Sequence, residues 1–360
     1  MSSANNNGKD ENDDIPPPQK PPSPPPHTTF TTRGIHAPNF AAFKPRDIRL
    51  TSPYGMNHVA WNCDGQRLAA VGIDRNVRIW WPEKSMEVRS ASLFSAGHND
   101  AEVDYVSWNP AHPDLFCTSS QKDRKIVFWD ARITRPVQQV NLKYSPATTS
   151  YSPDGRSLVY TTTGRVTNYL LLDKASEDAK EQWSTSTHQG VRMIPGSTAT
   201  WNHVGDGLVL TNVGDTSIRV VEYPGLSLIM HSPAHVGGCM AAALDPRGKY
   251  LASGGNDGIV NMFDLTDWIC ARTITVCDNA INHLSFSFDG EYLAISNAGS
   301  YIDICATETG MPLHRIPALG PSATVQWHPS KHVIAYCGQT QIREGGPPPS
   351  AWLSLFGPGI

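Results

Sequence analysis

Apolar positions along this chain come in short bursts rather than long amphipathic stretches, and the bursts repeat. The unit is an apolar strand ending in an aromatic residue, a turn of Pro, Asp and Gly, a second apolar strand rich in Ser and Thr, another turn, and a third β-rich strand. It recurs as VAWNCDGQRLAAVGIDRNVRIW, VSWNPAHPDLFCTSSQKDRKIVFWD, TSYSPDGRSLVYTTTGRVTNYLLLD, ATWNHVGDGLVLTNVGDTSIRVVEY, AALDPRGKYLASGGNDGIVNMFD, LSFSFDGEYLAISNAGSYIDICA and VQWHPSKHVIAYCGQ, the last followed by LSLFG. The residue closing each first strand falls at Trp61, Trp108, Tyr151, Trp201, Leu244, Phe286 and Trp327, at intervals of 41 to 50 residues. A period near 44 is that of a four-stranded blade, so the expected fold is an all-β, seven-bladed propeller. The pairs Asp64-Gly65, Asp154-Gly155, Asp206-Gly207 and Asp289-Gly290 predict hairpin turns, with Gly taking the positive φ.

Counting strands predicts how the ring closes. After Trp352–Phe356, the third strand of the last unit, only Gly357–Ile360 remain, too few to pair with it. An open edge leaves a row of backbone donors and acceptors unpaired. The segment from Lys44 to Leu50 precedes the first unit without a blade of its own, and is expected to fill that edge. Residues 37–360 thus form the propeller. Residues 1–36, an Asn and acid segment followed by PPPQKPPSPPP and a Thr-rich run, offer almost no apolar side chains and are expected to be a disordered, Pro-rich tail.

Composition narrows the function. Gly and Pro number 29 each, which suits short strands and turns, and only 17% of residues are charged. A formal charge of −4 argues against a free-standing nucleic-acid binder, and the tail, with three basic and four acidic residues, hides no basic domain. Any association with mRNA is expected to be indirect. The longest apolar runs are strand-sized, so no membrane span is expected, and the N-terminus lacks the basic and apolar pattern of a secretory leader. Seven irregularly spaced cysteines without a C-x-x-C pair read as thiols in a reducing compartment rather than disulfides or zinc ligands. Phosphate-loop, nucleophile-elbow and metal-helix motifs are absent from the sequence, so no enzyme activity, cofactor, metal or small-molecule substrate is expected.

Within the units, Trp129-Asp130 and the preceding Gly97-His98 resemble a WD40 repeat. In that family a His, a strand Ser or Thr, a turn Asp and a Trp hydrogen-bond across each blade. The resemblance implies those roles for His98, Ser119, Asp123 and Trp129 in the second blade, and for His235, Ser253 and Asp257 in the fifth, where Phe263 replaces the Trp. The first blade keeps Asp74 and Trp80 but has Ala70, the fourth keeps Thr211 and Asp215 but has Val221, and the sixth has Ile295, Gly299 and Cys305. Stretches such as DPRGKYLASGGNDG, YPGL after the fourth unit, IDICATETG, and VQWHPSKHVIAY with LFG resemble the family of the third THO complex subunit, in the same order along all seven units. That resemblance implies a nuclear scaffold, part of a THO/TREX assembly coupling transcription to mRNA packaging and export, with large helical THO subunits as partners.

Loop rings are where a propeller can carry binding residues. On the narrow face of such propellers the residue four before each strand-closing marker points outward, which selects Asn57, Asp104 and Asn282, and the residues before the turn Asp add Lys122 and Asn256. An alternative function is a substrate receptor of a cullin-RING ubiquitin ligase, suggested by the W-D-x-R string of Trp129, Asp130 and Arg132.

Overall fold

Each repeat unit buries its second strand nearly throughout and leaves most of its outer strand exposed, and the strand sequences follow that gradient. The computed structural model describes residues 38–50, 54–95, 97–98, 101–174, 180–185, 194–341 and 348–359. The Pro-rich tail and residues 342–347 of the insertion between the last strands lie outside them. Second strands such as Ser157–Thr162, Gly207–Thr211 and Tyr250–Gly255 are buried at every position. They are continuous apolar and hydroxyl runs because both of their faces are covered.

These strands form seven four-stranded antiparallel sheets, six of them in sequence order. Blade 2 is Tyr105–Trp108, Leu115–Ser120, Lys125–Asp130 and Gln138–Asn141; blade 4 is Thr198–Trp201, Gly207–Thr211, Ser217–Glu222 and Leu228–Pro233; blade 5 is Cys239–Leu244, Tyr250–Gly255, Val260–Asp264 and Cys270–Ile274. In blade 7 the outer strand comes from the other end of the chain. Arg46–Arg49 pairs antiparallel with Ala351–Phe356, Arg46 opposite Leu355 and Ile48 opposite Leu353. The clasp expected from strand counting is present, and Leu50 extends it by donating its N–H to Ala351. Phe40, ahead of the clasp, stacks edge-on against Tyr292 at 4.9 Å.

The core sits between blades. Trp61, Leu68 and Trp80 of blade 1 share a buried cluster with Ile48, Val333, Leu353 and Leu355 of blade 7. Ala69, Val71 and Ile79, on the opposite face of blade 1, pack with Val106, Phe116 and Trp129 of blade 2. The first turn of a blade is also regular: Gly65, Gly155, Gly205, Gly248 and Gly290 each lie four residues after the strand-closing marker, with φ between +71° and +87°. The expected Asp206-Gly207 turn is therefore displaced. Gly205 takes the left-handed position and Gly207 begins the second strand.

Deleting residues 1–36 should leave the melting temperature nearly unchanged, whereas deleting 1–50 should lower it sharply by uncovering the Ala351–Phe356 edge. Ile48→Ala isolates the clasp: it should cost about 2–4 kcal/mol in denaturant unfolding, the usual range for emptying a buried aliphatic site. Equal stability of the two truncations would show that the clasp does not hold the ring.

Candidate interaction surface

The side-chain network of blade 2 runs through four groups. Trp129 Nε1–H donates to Thr118 Oγ1 at 2.8 Å, and Thr118 Oγ1 lies 2.8 Å from His98 Nε2. The ionised carboxylate can only accept, so His98 Nδ1–H donates to Asp123 Oδ2 at 3.0 Å. The hydroxyl is Thr118, not the expected Ser119. Thr118 pairs with Val127 and Ser253 pairs with Asn261, each partner two residues before the third-strand aromatic. The second-to-third turn is one residue longer in blade 2, so counting back from Asp123 stops one position late, on the opposite face of the strand. Ser119 Oγ is buried with no hydrogen-bond partner.

Blade 5 forms the network as expected, short of the indole. His235 Nδ1 lies 3.2 Å from Asp257 Oδ1, and its Nε2 lies 2.9 Å from Ser253 Oγ. Burial pushes His235 down from the ordinary imidazole value, with Asp257 opposing. Burial acts the other way on Asp257, yet the N–H groups of Val236 and Ile259 outweigh it and hold the carboxyl below its usual range. In blades 1 and 4 the turn aspartate takes an arginine four residues on: Asp74 with Arg78 at 2.5 Å, and Asp215 with Arg219.

The rim residues divide into two kinds. Asn57 and Asn282 are half-buried, and their amides donate to the next blade, to the carbonyls of Val103 and Ser322, each at 3.0 Å. Asp104 Oδ2 accepts the Gln121 N–H at 2.7 Å, and burial raises this carboxyl above its ordinary value. Lys122, paired with Glu102, and Asn256 are exposed. Only this second kind offers a side chain outward at little structural cost. At the opposite end of blade 2, Trp129 is buried, while Arg132 is exposed and grips Asp130 with two nitrogens, Nε at 2.9 Å and Nη2 at 2.6 Å.

Sequence reasoning missed a belt of blade-to-blade hydrogen bonds. In three blades the residue after the strand-closing marker reaches the next blade: Asn62 donates to Pro113 O at 3.0 Å, Asn109 to Gly155 O at 3.1 Å, and His328 Nε2 to Gly65 O at 3.0 Å, across the closing seam. The Trp-Asn pairs at 61–62 and 108–109 carry it, whereas the third such pair, Trp201-Asn202, turns its amide to Asp206 of its own turn. Inside the ring, a cavity of about 290 Å³ is lined by uncharged polar groups, including Thr198, Tyr105, His58 and His283. His58 stacks on Tyr105 with ring centroids 3.7 Å apart, and neither of its nitrogens has a hydrogen-bond partner. Burial, then the nearby His283, pushes His58 well below the usual imidazole value, and burial lowers His283 to about 4. Among the described residues, no three or more His, Cys, Asp or Glu side chains gather as a metal site.

The family model for the WD domain, G-beta repeat, matches residues 49–80 and 226–264. THO complex subunit 3 of Arabidopsis thaliana is 30% identical over 311 residues, 86% of this chain and 92% of that protein. The chain belongs to the THO complex subunit 3 family. WD repeat-containing protein AAC3 of Dictyostelium discoideum is 27% identical over 83% of this chain, which spans 64% of that longer protein. The β-propeller domain of Myceliophteria thermophila Cps50 (Swd1) superposes with a TM-score of 0.66 over 86% of this chain and 99% of its own, at 18% identity, a likeness of fold alone. In this member of the THO complex subunit 3 family, the described residues present a WD40 ring whose outward side chains are the candidates for function.

Thr118→Val should cost about 1–3 kcal/mol, because it leaves Trp129 Nε1–H and His98 Nε2 buried without their partner, while Ser119→Ala should be nearly neutral. Chemical denaturation of both variants decides between the two hydroxyls. The lowered histidines set a pH dependence: an unfolded imidazole titrates near 6.5, so between about pH 6.5 and 4 the unfolded chain binds more protons and stability falls. His58→Phe keeps the ring and removes the nitrogens, so its melting temperature should drop less than the wild type's between pH 7.5 and 5. An identical drop would mean His58 contributes nothing to acid sensitivity.

Proposed function

We propose that this ring is a non-catalytic scaffold subunit of a nuclear THO/TREX-type assembly that couples transcription to mRNA packaging and export. The observation that carries this reading is the 30% identity that extends over nearly the whole length of THO complex subunit 3 from Arabidopsis thaliana. Physical features support a docking role. A closed propeller is held by its own interblade core, so its loops are free to vary and to meet partners. The partners are the large helical subunits of that assembly, and contact with mRNA runs through them, in keeping with a chain of formal charge −4.

The rim sets the test. Lys122 and Asn256 are exposed, whereas Asn57 and Asn282 serve the neighbouring blade, so the variant Lys122→Glu with Asn256→Lys probes contact without loosening the ring. Affinity purification of the endogenously tagged chain should recover THO subunits in stoichiometric amounts. The double variant should keep its circular dichroism melt and capture them at least about tenfold more weakly, roughly 1.4 kcal/mol. Recovery of a cullin adaptor in their place would replace the scaffold reading with the ligase one.

A further inference from the structure

The outer strand of blade 4 begins with two adjacent exposed aliphatic side chains, and like the outer strands of blades 1 to 3 it has no charged residue. Leu228–Pro233 contains no Lys, Arg, Asp or Glu, and its first two residues, Leu228 and Ile229, are 55% and 64% exposed. The outer strands of blades 5, 6 and 7 each carry Arg, in Cys270–Ile274, Pro312–Pro317 and Arg46–Arg49. Beside this strand, a groove of about 590 Å³ opens between blades 4 and 5, with Leu244, Leu265, Trp268 and Ile229 among its walls. Val204 and Ile269, next in sequence to the lining residues His203 and Trp268, are 80% and 63% exposed. Exposed apolar side chains gathered around a groove mark an interaction site more often than scattered ones do.

Charge says what the groove accepts. Its lining holds two carboxylates, Asp206 and Glu222, and no Lys or Arg. Both are exposed and held by uncharged donors, Asp206 by the Asn202 amide and Glu222 by the Ser227 hydroxyl, each at 2.6 Å. Neither forms an ion pair among the described residues, so their charge is left for a partner. Nearby cations are committed elsewhere: Lys249 to Glu308 of blade 6 at 2.8 Å, and Arg247 to Asp245 of its own turn at 3.0 Å and to Glu291 and Glu308 at 3.5 Å. Asp264 and Asp267 follow the same sign along the turn that carries Trp268. The larger groove between blades 2 and 3, about 910 Å³, lacks this bias, since Asp130 and Glu181 share it with Arg135, Lys174 and Lys180.

Backbone groups say in what form the partner arrives. The turns that frame the groove satisfy their own amides: Tyr223 N–H donates to Asp206 O, Glu222 N–H to Ser227 O, Leu265 N–H to Lys249 O and Trp268 N–H to Asp264 O. These amides are spent, so the turns framing the groove give an incoming strand little to pair with, and the free edge of Leu228–Pro233 is left, among the described residues, as the place beside it where a strand could add. A helix brings its own hydrogen bonds and presents apolar side chains at i, i+3 or i+4, and i+7. We infer that the groove between blades 4 and 5 docks an amphipathic helix of a partner protein, its apolar side chains against Ile229, Leu265 and Trp268 and its flanking Lys or Arg side chains against Asp206 and Glu222.

This surface is separate from the rim of Lys122 and Asn256, and the inference does not rest on the assembly proposed above. The test places a photo-crosslinking benzoylphenylalanine at Ile229 in the full-length endogenous chain, and cross-linked peptides are sequenced. The expected adduct is a segment with helical apolar spacing and interspersed Lys or Arg. An acidic or uncharged segment, a strand-patterned one, or no adduct overturns the inference. In the second arm, Asp206→Lys with Glu222→Lys should weaken capture of that partner at least tenfold, and Asp206→Asn with Glu222→Gln by less. Capture by the charge-reversed chain at wild-type strength also overturns it. A basic helix from outside THO would keep this inference and leave the scaffold proposal to its own purification test, whereas absence of THO subunits from that purification would remove the scaffold proposal and leave this inference to the cross-link.

Discussion

A four-stranded blade has two apolar faces and no means of covering either, and the rest of the structure answers that constraint. Each face is covered by the next blade, as Ala69, Val71 and Ile79 are by Val106, Phe116 and Trp129. Covering every face in a row of sheets leaves two ends exposed unless the row returns on itself. Ring closure is therefore part of the hydrophobic core rather than an addition to it. Ile48 makes this concrete, since the strand that completes blade 7 also places a buried side chain in the cluster shared with blade 1. The loops are released from packing by the same arrangement, which is why partner binding is sought there.

Polar groups add direction to that packing. Hydrophobic contact alone would let neighbouring sheets slide, whereas Asn62, Asn109 and His328 each fix a particular carbonyl of the next blade. Single hydrogen bonds of this kind contribute about 0.5–1.5 kcal/mol each, and their value here lies as much in register as in energy. Within blades, the Trp129, Thr118, His98 and Asp123 chain ties the loop entering blade 2 to its second-to-third turn. In blades 1 and 4, Asp74 and Asp215 are held by an arginine from their own sheet, and in blade 4 that arginine, Arg219, also donates to the carbonyl of Pro195 in the entering loop.

The parts of this architecture that depend on period were legible in the sequence. Trp61, Trp108 and Trp327 mark strand ends, and the shortage of chain after Phe356 pointed to the segment from Lys44 to Leu50, within which Arg46–Arg49 is the closing strand. Features that depend on an insertion of one residue were not. Thr118 and Ser119 are chemically alike, and only the length of the turn after them decides which faces His98. Gly205 and Gly207 posed the same problem across a turn. The rim was harder still, because Asn57 and Lys122 both read as polar loop residues, and only coordinates separate an amide engaged by Val103 from an ammonium facing outward. The groove beside Ile229 had no sequence signal, as its walls come from two blades.

The clasp bears on how the chain is made. Arg46–Arg49 leaves the ribosome about 300 residues before its partner Ala351–Phe356. At roughly 5–20 residues per second, this strand waits some 15–60 seconds with neither edge paired. Six blades can assemble in order behind it, each covering the face of the one before, but the outer face of blade 1 stays open until blade 7 arrives. Through that interval the nascent chain carries both an unpaired strand and an uncovered sheet. The alternation of Arg, Asp, Ile and Arg in that strand suits the wait, since charges keep a lone edge from recruiting the wrong neighbour.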